Sequence, residues 1–434
     1  MIASRERQHG DRVSKLPKYQ TRILPIAALY GGNASGKTNF FKAISFARSL
    51  IVDGTKPSGL IPVEHHLLDA QDPENPSRFE FLLLIDEKIY EFVFSVNKEL
   101  ILEEKLSVIS TSSERLLYRR RKGEIEFCSS LNRDPYMHFA FRGTRRNQLF
   151  LTNAVSQQIE FFRPIYDWFE NKLVLIGPDS RFAAFEQFVG EEDLLHSKMS
   201  QMLSELDTGI NHLGSEEISL DKAPFNKSLK NDLLDSVKEG QTVRLFAETS
   251  GERYIATRTG NKLIVKKPIV YHYNKKGTQV KFELRQESDG SQRLVDLLPA
   301  FVDLASRVSK KVYVIDEIDR SLHTLLMRKL LEEYLSGCTR DTRKQLLFTT
   351  HDILQMDQNL LRRDEMWVVE RNTHGSSRLF SFSEYKDVRY DKDIRKSYLQ
   401  GRLGGIPYFP FATTLADLNA ADASQKNKDA ATST

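Results

Sequence analysis

A glycine-rich loop constrains the fold of this chain more than any other feature. Residues 31–38 read Gly-Gly-Asn-Ala-Ser-Gly-Lys-Thr and match G-x-x-x-x-G-K-[ST] at Gly31, Gly36, Lys37 and Thr38. The apolar run ILPIAALY (23–30) precedes it, and 38–51 carries Phe41, Ile44 and Leu50 at helical spacing. Strand, glycine loop and helix in that order make a phosphate cradle. Glycines let backbone N–H groups turn inward, and the following helix offers its positive end to the same anion. The candidate nucleotide-binding residues are therefore Gly31, Asn33, Ala34, Ser35, Gly36, Lys37, Thr38 and Asn39. Lys37 is expected to bridge β- and γ-phosphates, and Thr38 to ligate Mg²⁺.

Three further motifs follow in the chain. Residues 288–292 (SDGSQ) open an amphipathic stretch. A serine hydroxyl at a helix N-terminus is either a γ-phosphate site or a plain cap, and Ser288 fits both roles. Residues 312–317 (VYVIDE) read as a strand buried on both faces that ends in two acids. Asp316 is the expected Mg²⁺ ligand and Glu317 the base for an attacking water. Residues 345–352 (QLLFTTHD) form another apolar strand, ending at His351, with room for one helix and one strand after Glu317. In this order the four motifs resemble those of an ABC-type ATPase head. The resemblance implies that Ser288 and Gly290 face nucleotide held by a second copy. It also implies that His351 contacts the γ-phosphate and that Asp319 and 321–323 lie at the dimer interface.

The expected fold class is α/β: an ABC-type P-loop ATPase head with an antiparallel β-subdomain and a mainly helical insertion. Residues 1–60 form the P-loop part of the nucleotide-binding lobe, beginning with a polar, basic stretch without a clear period over 1–22. Residues 61–180 hold β-rich runs over 78–127 and then helices. Their aromatic stripe, with Phe161, Phe162, Tyr166, Trp168 and Phe169, reads as core. Residues 181–282 are an insertion, helical to 239 and β-rich from 241. Residues 283–410 complete the lobe, and 411–434, rich in Ala, Asp, Ser and Thr, read as a disordered tail.

Composition adds exclusions. With 63 basic and 59 acidic residues the net charge is only +4, too little to argue for nucleic-acid binding by itself. Two cysteines, Cys128 and Cys338, support neither a disulfide framework nor a zinc site and fit a reducing cytoplasm. No apolar run approaches the roughly 20 residues that span a bilayer, so no membrane partner is expected. Basic runs at 119–122 (RRRK) and 142–146 suit either phosphates or solvated loops.

GGNASGKTNFFKAI, ESDGSQRL, VYVIDEID and FTTHD are similar to the small AAA, ABC-like ATPases of bacterial defence systems. Such proteins include the RloA-like proteins, the ATPases of Septu and PARIS, and the ATPase half of overcoming-lysogenisation-defect nucleases. LDTGI (206–210) and DIRKSYLQGRLGGIP (393–407) extend the likeness over roughly 23–410. Two features depart from it. The chain starts mid-pattern, as if a first strand pair were missing, and the Q-loop has only Gln71 as a candidate. Asp387, Asp391 and Asp393 read as a solvated face. The resemblance implies ATP and Mg²⁺ as cofactors, ATP hydrolysis, and a self-partnered dimer or larger oligomer. It further implies a sensor or scaffold role over a separate effector such as a nuclease. A RecF- or SMC-like DNA-maintenance ATPase is the alternative, with nucleic acid as a possible partner.

Overall fold

The computed structural model describes residues 1–66, 68, 75–180, 194–247, 251–260, 262–385 and 393–405. Gln71, Asp387, Asp391 and the tail 411–434 lie outside these residues. The chain opens with a hairpin of β1 (Ser14–Leu16) and β2 (Thr21–Ile23), to which Ile2 adds a bridge at Ile23. β3 (Ile26–Tyr30) runs into the glycine loop and α1 (Lys37–Val52). Next comes an antiparallel meander of β4 (Ser77–Ile85), β5 (Lys88–Val96), β6 (Ile101–Ile109), β7 (Glu114–Arg121) and β8 (Glu124–Phe127). Helices α2 (Ser129–Asn132), α3 (Pro135–Arg142), α4 (Phe150–Ser156) and α5 (Arg163–Asp167) follow, and then β9 (Leu173–Ile176).

The insertion contains α6 (Leu194–Glu205), β10 (His212–Ile218), α7 (Lys227–Ser236), β11 (Thr242–Ala247), β12 (Glu252–Thr259), β13 (Lys262–Tyr273) and β14 (Gln279–Glu283). These strands form one antiparallel sheet of five. The β-rich reading from 241 holds, and the stretch read as helical to 239 also supplies a strand, β10, which pairs with β13. The second half of the insertion is rich in β-branched and aromatic residues, as in TVRLFA and KLIVKKPIVYHY, and pairs as sheet. The chain returns to the nucleotide lobe with α8 (Asp289–Ala305), β15 (Val312–Ile315), α9 (Thr324–Ser336), β16 (Gln345–Thr349), β17 (Met366–Arg371), β18 (Ser377–Ser381) and α10 (Ile394–Leu399).

The central sheet has the order β18-β17-β3-β16-β15-β9. Every pair is parallel except β17 with β18. Both faces are covered, which is why its strands read as continuous apolar runs. In β15, Tyr313 and Ile315 join the core that holds α8 and α9. Val312 and Val314 face the other way, into the core that joins α1, the meander and α4. Phe162 and Phe169 are fully buried in this second core, whereas Phe161 is half exposed.

The N-terminal segment has no hydrophobic period because ion pairs and hydrogen bonds hold it. Arg362 is fully buried, binds Asp364 at 2.7 Å and donates to the carbonyls of Glu6 and Gln8. Arg12 pairs with buried Glu365 at 2.5 Å, and Ser4 donates to Asp364. No helix among the described residues is long and apolar enough to cross a membrane.

Candidate nucleotide site

Open parallel sheets place ligands at the carboxyl ends of their strands. Three neighbouring strands here, β3, β16 and β15, end respectively in the glycine loop, in Thr349-Thr350-His351 and in Asp316-Glu317. The topology thus gathers motifs that are far apart in sequence along one edge.

Local geometry fixes the loop. Gly31 has φ 158°, and a Cβ there would lie 2.5 Å from the Val369 carbonyl. Gly36 has φ 107°, and a Cβ there would meet Ser377 Oγ at 2.4 Å. Ser377, from β18, donates to the Ser35 carbonyl at 2.7 Å, and the Gly32 N–H donates to the Gly405 carbonyl at 2.8 Å. Ala34 is left-handed at φ 58°. Asn33, Ala34, Thr38 and Asn39 are exposed, while Ser35 and Lys37 are buried. The Lys37 ammonium donates to the carbonyls of Gly31 (2.7 Å) and Gly32 (3.0 Å). Burial lowers its pKa, against the pull of Asp316, Asp319 and Glu317.

The Asp316 carboxylate is 0% exposed. One oxygen accepts from Thr349 Oγ1 at 2.5 Å, and the other has no hydrogen-bond donor among the described residues. The Glu317 N–H donates to the same Thr349 hydroxyl at 2.8 Å, and Glu317 is left-handed at φ 48°. A non-glycine residue in that region costs on the order of 1–3 kcal/mol and marks a constrained turn. Among the described residues, four buried polar atoms without a hydrogen-bond partner belong to this edge: Tyr30 Oη, Ser35 Oγ, Asp316 Oδ2 and Asp319 Oδ1. Buried polar groups are normally satisfied. This concentration of orphans, beside a loop that admits no extra Cβ at two glycines, fits a polyphosphate with a divalent cation. Thr38 and Asp316 would hold the cation.

His351 is exposed, and its N–H donates to Asp319 Oδ2 at 3.2 Å. Ser288 caps α8, accepting from the Ser291 N–H at 3.1 Å, so the plain cap role is realised, and the residue remains exposed. Gly290 packs on the turn after β15, where a Cβ would lie 2.6 Å from the Ser321 carbonyl. Among the described residues no hydrogen bond joins Ser288 or Gly290 to the glycine loop.

Sequence reasoning missed four participants. Thr349 clamps both acids. Ser377 supports the loop from the C-terminal hairpin. Residues 177–180, after β9, stand between α1 and α8, with Gly177 beside Phe41. Buried Arg293 donates to the Gly177 carbonyl (3.1 Å) and to the Asp316 and Glu317 carbonyls (3.4 Å each). A cleft of about 240 Å³ opens here, lined by Asp179, Ser180, Gln292, Arg293, Arg320 and Ser321 among others. The LVLI run of β9 was the available signal; an arginine inside an amphipathic helix gives none. Part of the 119–122 run proves structural. Arg120 is buried and donates to the Gln148 and Arg145 carbonyls, while Arg119 faces Glu103.

The chain shares 13% identity with the crystal structure of an SmcHead bound to the C-winged helix domain of ScpA, covering 82% of this chain and 90% of that one at TM-score 0.33. The SMC head domain from Thermotoga maritima shares 14%, covering 82% and 89% at TM-score 0.28. No curated protein matches the sequence. A family model does match, over residues 26–357, and on that match the chain belongs to the family described as "AAA domain, putative AbiEii toxin, Type IV TA system".

Proposed function

We propose that the chain binds and hydrolyses ATP, pairs with a second copy around the nucleotide, and so controls a separate effector, a nuclease, in anti-phage defence. The observation that carries the ATPase part is the set of orphaned buried polar atoms around Lys37 and Asp316. Membership of a family whose description names a toxin and a TA system favours the conflict-system role, as do the motifs shared with defence ATPases.

Magnesium-bound ATP, when present, supplies the transferable phosphoryl group and the charge that Thr38 and Asp316 hold. Lys37 exchanges two loop carbonyls for β- and γ-phosphate oxygens. Glu317 accepts the proton of the attacking water, its backbone N–H held by Thr349. His351 contacts the γ-phosphate from the end of β16. Ser288 and Gly290 are exposed or near the surface and unbonded to their own loop, which suits service to the partner copy's nucleotide. The same cycle would run in a cytoplasmic dimer or in a larger assembly.

Glu317→Gln tests the reading. The variant should bind ATP as the wild type does, lose on the order of 10²-fold or more in turnover, and sediment with ATP as a dimer or larger species. Unchanged turnover would move the base elsewhere.

A further inference from the structure

One surface of the helical layer that follows the meander places exposed rings beside exposed arginines. On α3, Tyr136 is 74% exposed and Phe139 is 64% exposed. Residues three apart on a helix share a face, and the next step on the same face is exposed Arg142. Arg133 lies just before the helix and Arg146 just after it, both exposed. None of these three arginines forms an ion pair among the described residues. Residues 133–146 carry four arginines against one acid, in a chain whose net charge is +4. That acid, Asp134, is spent on capping α3 at the Tyr136 N–H (2.9 Å).

The platform is rigidly held. Met137 and Ala140 bury the opposite face of α3. Asn153 of α4 donates to the Ala140 carbonyl (2.8 Å) and to Thr144 Oγ1 (2.9 Å), pinning the last turn. Two bare rings about 4.5 Å apart along the helix axis, flanked by unpaired guanidinium groups, match one chemistry. Each nucleotide of a single strand offers a π-face and a phosphate together. A duplex stacks its bases away from such rings. A protein partner would have to bring a carboxylate for each arginine.

We infer that the Tyr136–Phe139–Arg142 face of α3 is a docking site for single-stranded nucleic acid, with bases stacked on the two rings and phosphates on Arg133, Arg142 and Arg146. The site is remote in sequence from every nucleotide-site residue and stands whether or not the ATPase reading holds.

The test is fluorescence anisotropy with a labelled oligothymidylate of about 16 nucleotides, the upper size of single-domain stacking sites, against a duplex of the same length. The single strand should bind more tightly than the duplex. Tyr136→Ala and Phe139→Ala should each weaken it about tenfold or more, the worth of one stacked base, whereas Tyr136→Phe should bind as the wild type. Arg142→Ala should flatten the log–log salt dependence by about 0.7, the value of one lost phosphate contact on a single strand. All variants change exposed side chains and should keep the wild-type melting temperature and intrinsic ATPase rate. Equal binding of single strand and duplex overturns the inference. So do ring variants that bind the oligonucleotide normally, including the case in which they lose a protein partner instead.

Discussion

Gly36→Ala probes the shape of the nucleotide loop without touching a charge. At φ 107° an L-residue is strained, and the new Cβ would sit 2.4 Å from Ser377 Oγ and 3.0 Å from Ser377 Cβ. That hydroxyl donates to the Ser35 carbonyl at 2.7 Å, so it cannot move away without losing the bond. Backbone strain of about 1–3 kcal/mol and a displaced hydrogen bond of about 1 kcal/mol give a total of about 2–4 kcal/mol. The free loop can relax by shifting, but binding phosphate reimposes the geometry. Affinity for a fluorescent ATP analogue should therefore fall about 30- to 1,000-fold, at 1.4 kcal/mol per decade. Adding Ser377→Gly opens the space but leaves the φ strain, so the double variant should fall between Gly36→Ala and wild type. A Gly36→Ala chain that binds the analogue as tightly as wild type would refute the reasoning about this loop.

Other perturbations read different parts of the structure. Arg293→Met removes the guanidinium that ties α8 to the Asp316 and Glu317 carbonyls. It should cut kcat by about tenfold or more, the scale of a lost charge-assisted hydrogen bond, with little change in KM. An effect confined to KM would contradict a positioning role. Glu365→Gln addresses pH: burial pushes the Glu365 carboxyl from 4.5 up to about 7, against the lowering effect of Arg12. Because the folded value lies above the unfolded one, its stabilising contribution is full below pH 4.5 and is lost as pH rises through about 7. Denaturant melts should show the variant gaining stability relative to wild type across that window; a pH-independent difference would contradict the assignment.

The sequence was legible where a motif and its flanks say the same thing. The glycine loop has an apolar strand before it and a helical period after it, and β3 and α1 stand there. VYVIDE and QLLFTTHD carry the apolar runs of strands covered on both faces, and β15 and β16 bury both. Legibility fails where long-range polar contacts take over from periodicity. Residues 1–22 dock through Arg12, Arg362, Asp364 and Glu365, and no local pattern announces such a network. β9 is four residues long, too short for a period to register, yet it forms an edge of the central sheet beside β15. Ser288 fits both of its readings at once, since a cap serine at an exposed helix start can also meet an external phosphate. Within the arginine runs, sequence cannot separate buried Arg120 from exposed Arg142. That division comes from which residues the meander and α4 happen to cover.

In the proposed function one ATP site is built from two copies, with the glycine loop of one facing Ser288 of the other. Lys37→Ala removes the cation from the loop, and Ser288→Arg blocks the opposing face while leaving the loop intact. Each variant alone should be inactive, and Ser288→Arg should still bind ATP. In a mixed dimer one site carries both lesions and the other carries neither. Mixing the two inactive chains should therefore restore part of the wild-type ATPase rate. No recovery, with mixed dimers demonstrated by differently tagged chains, would contradict independent composite sites.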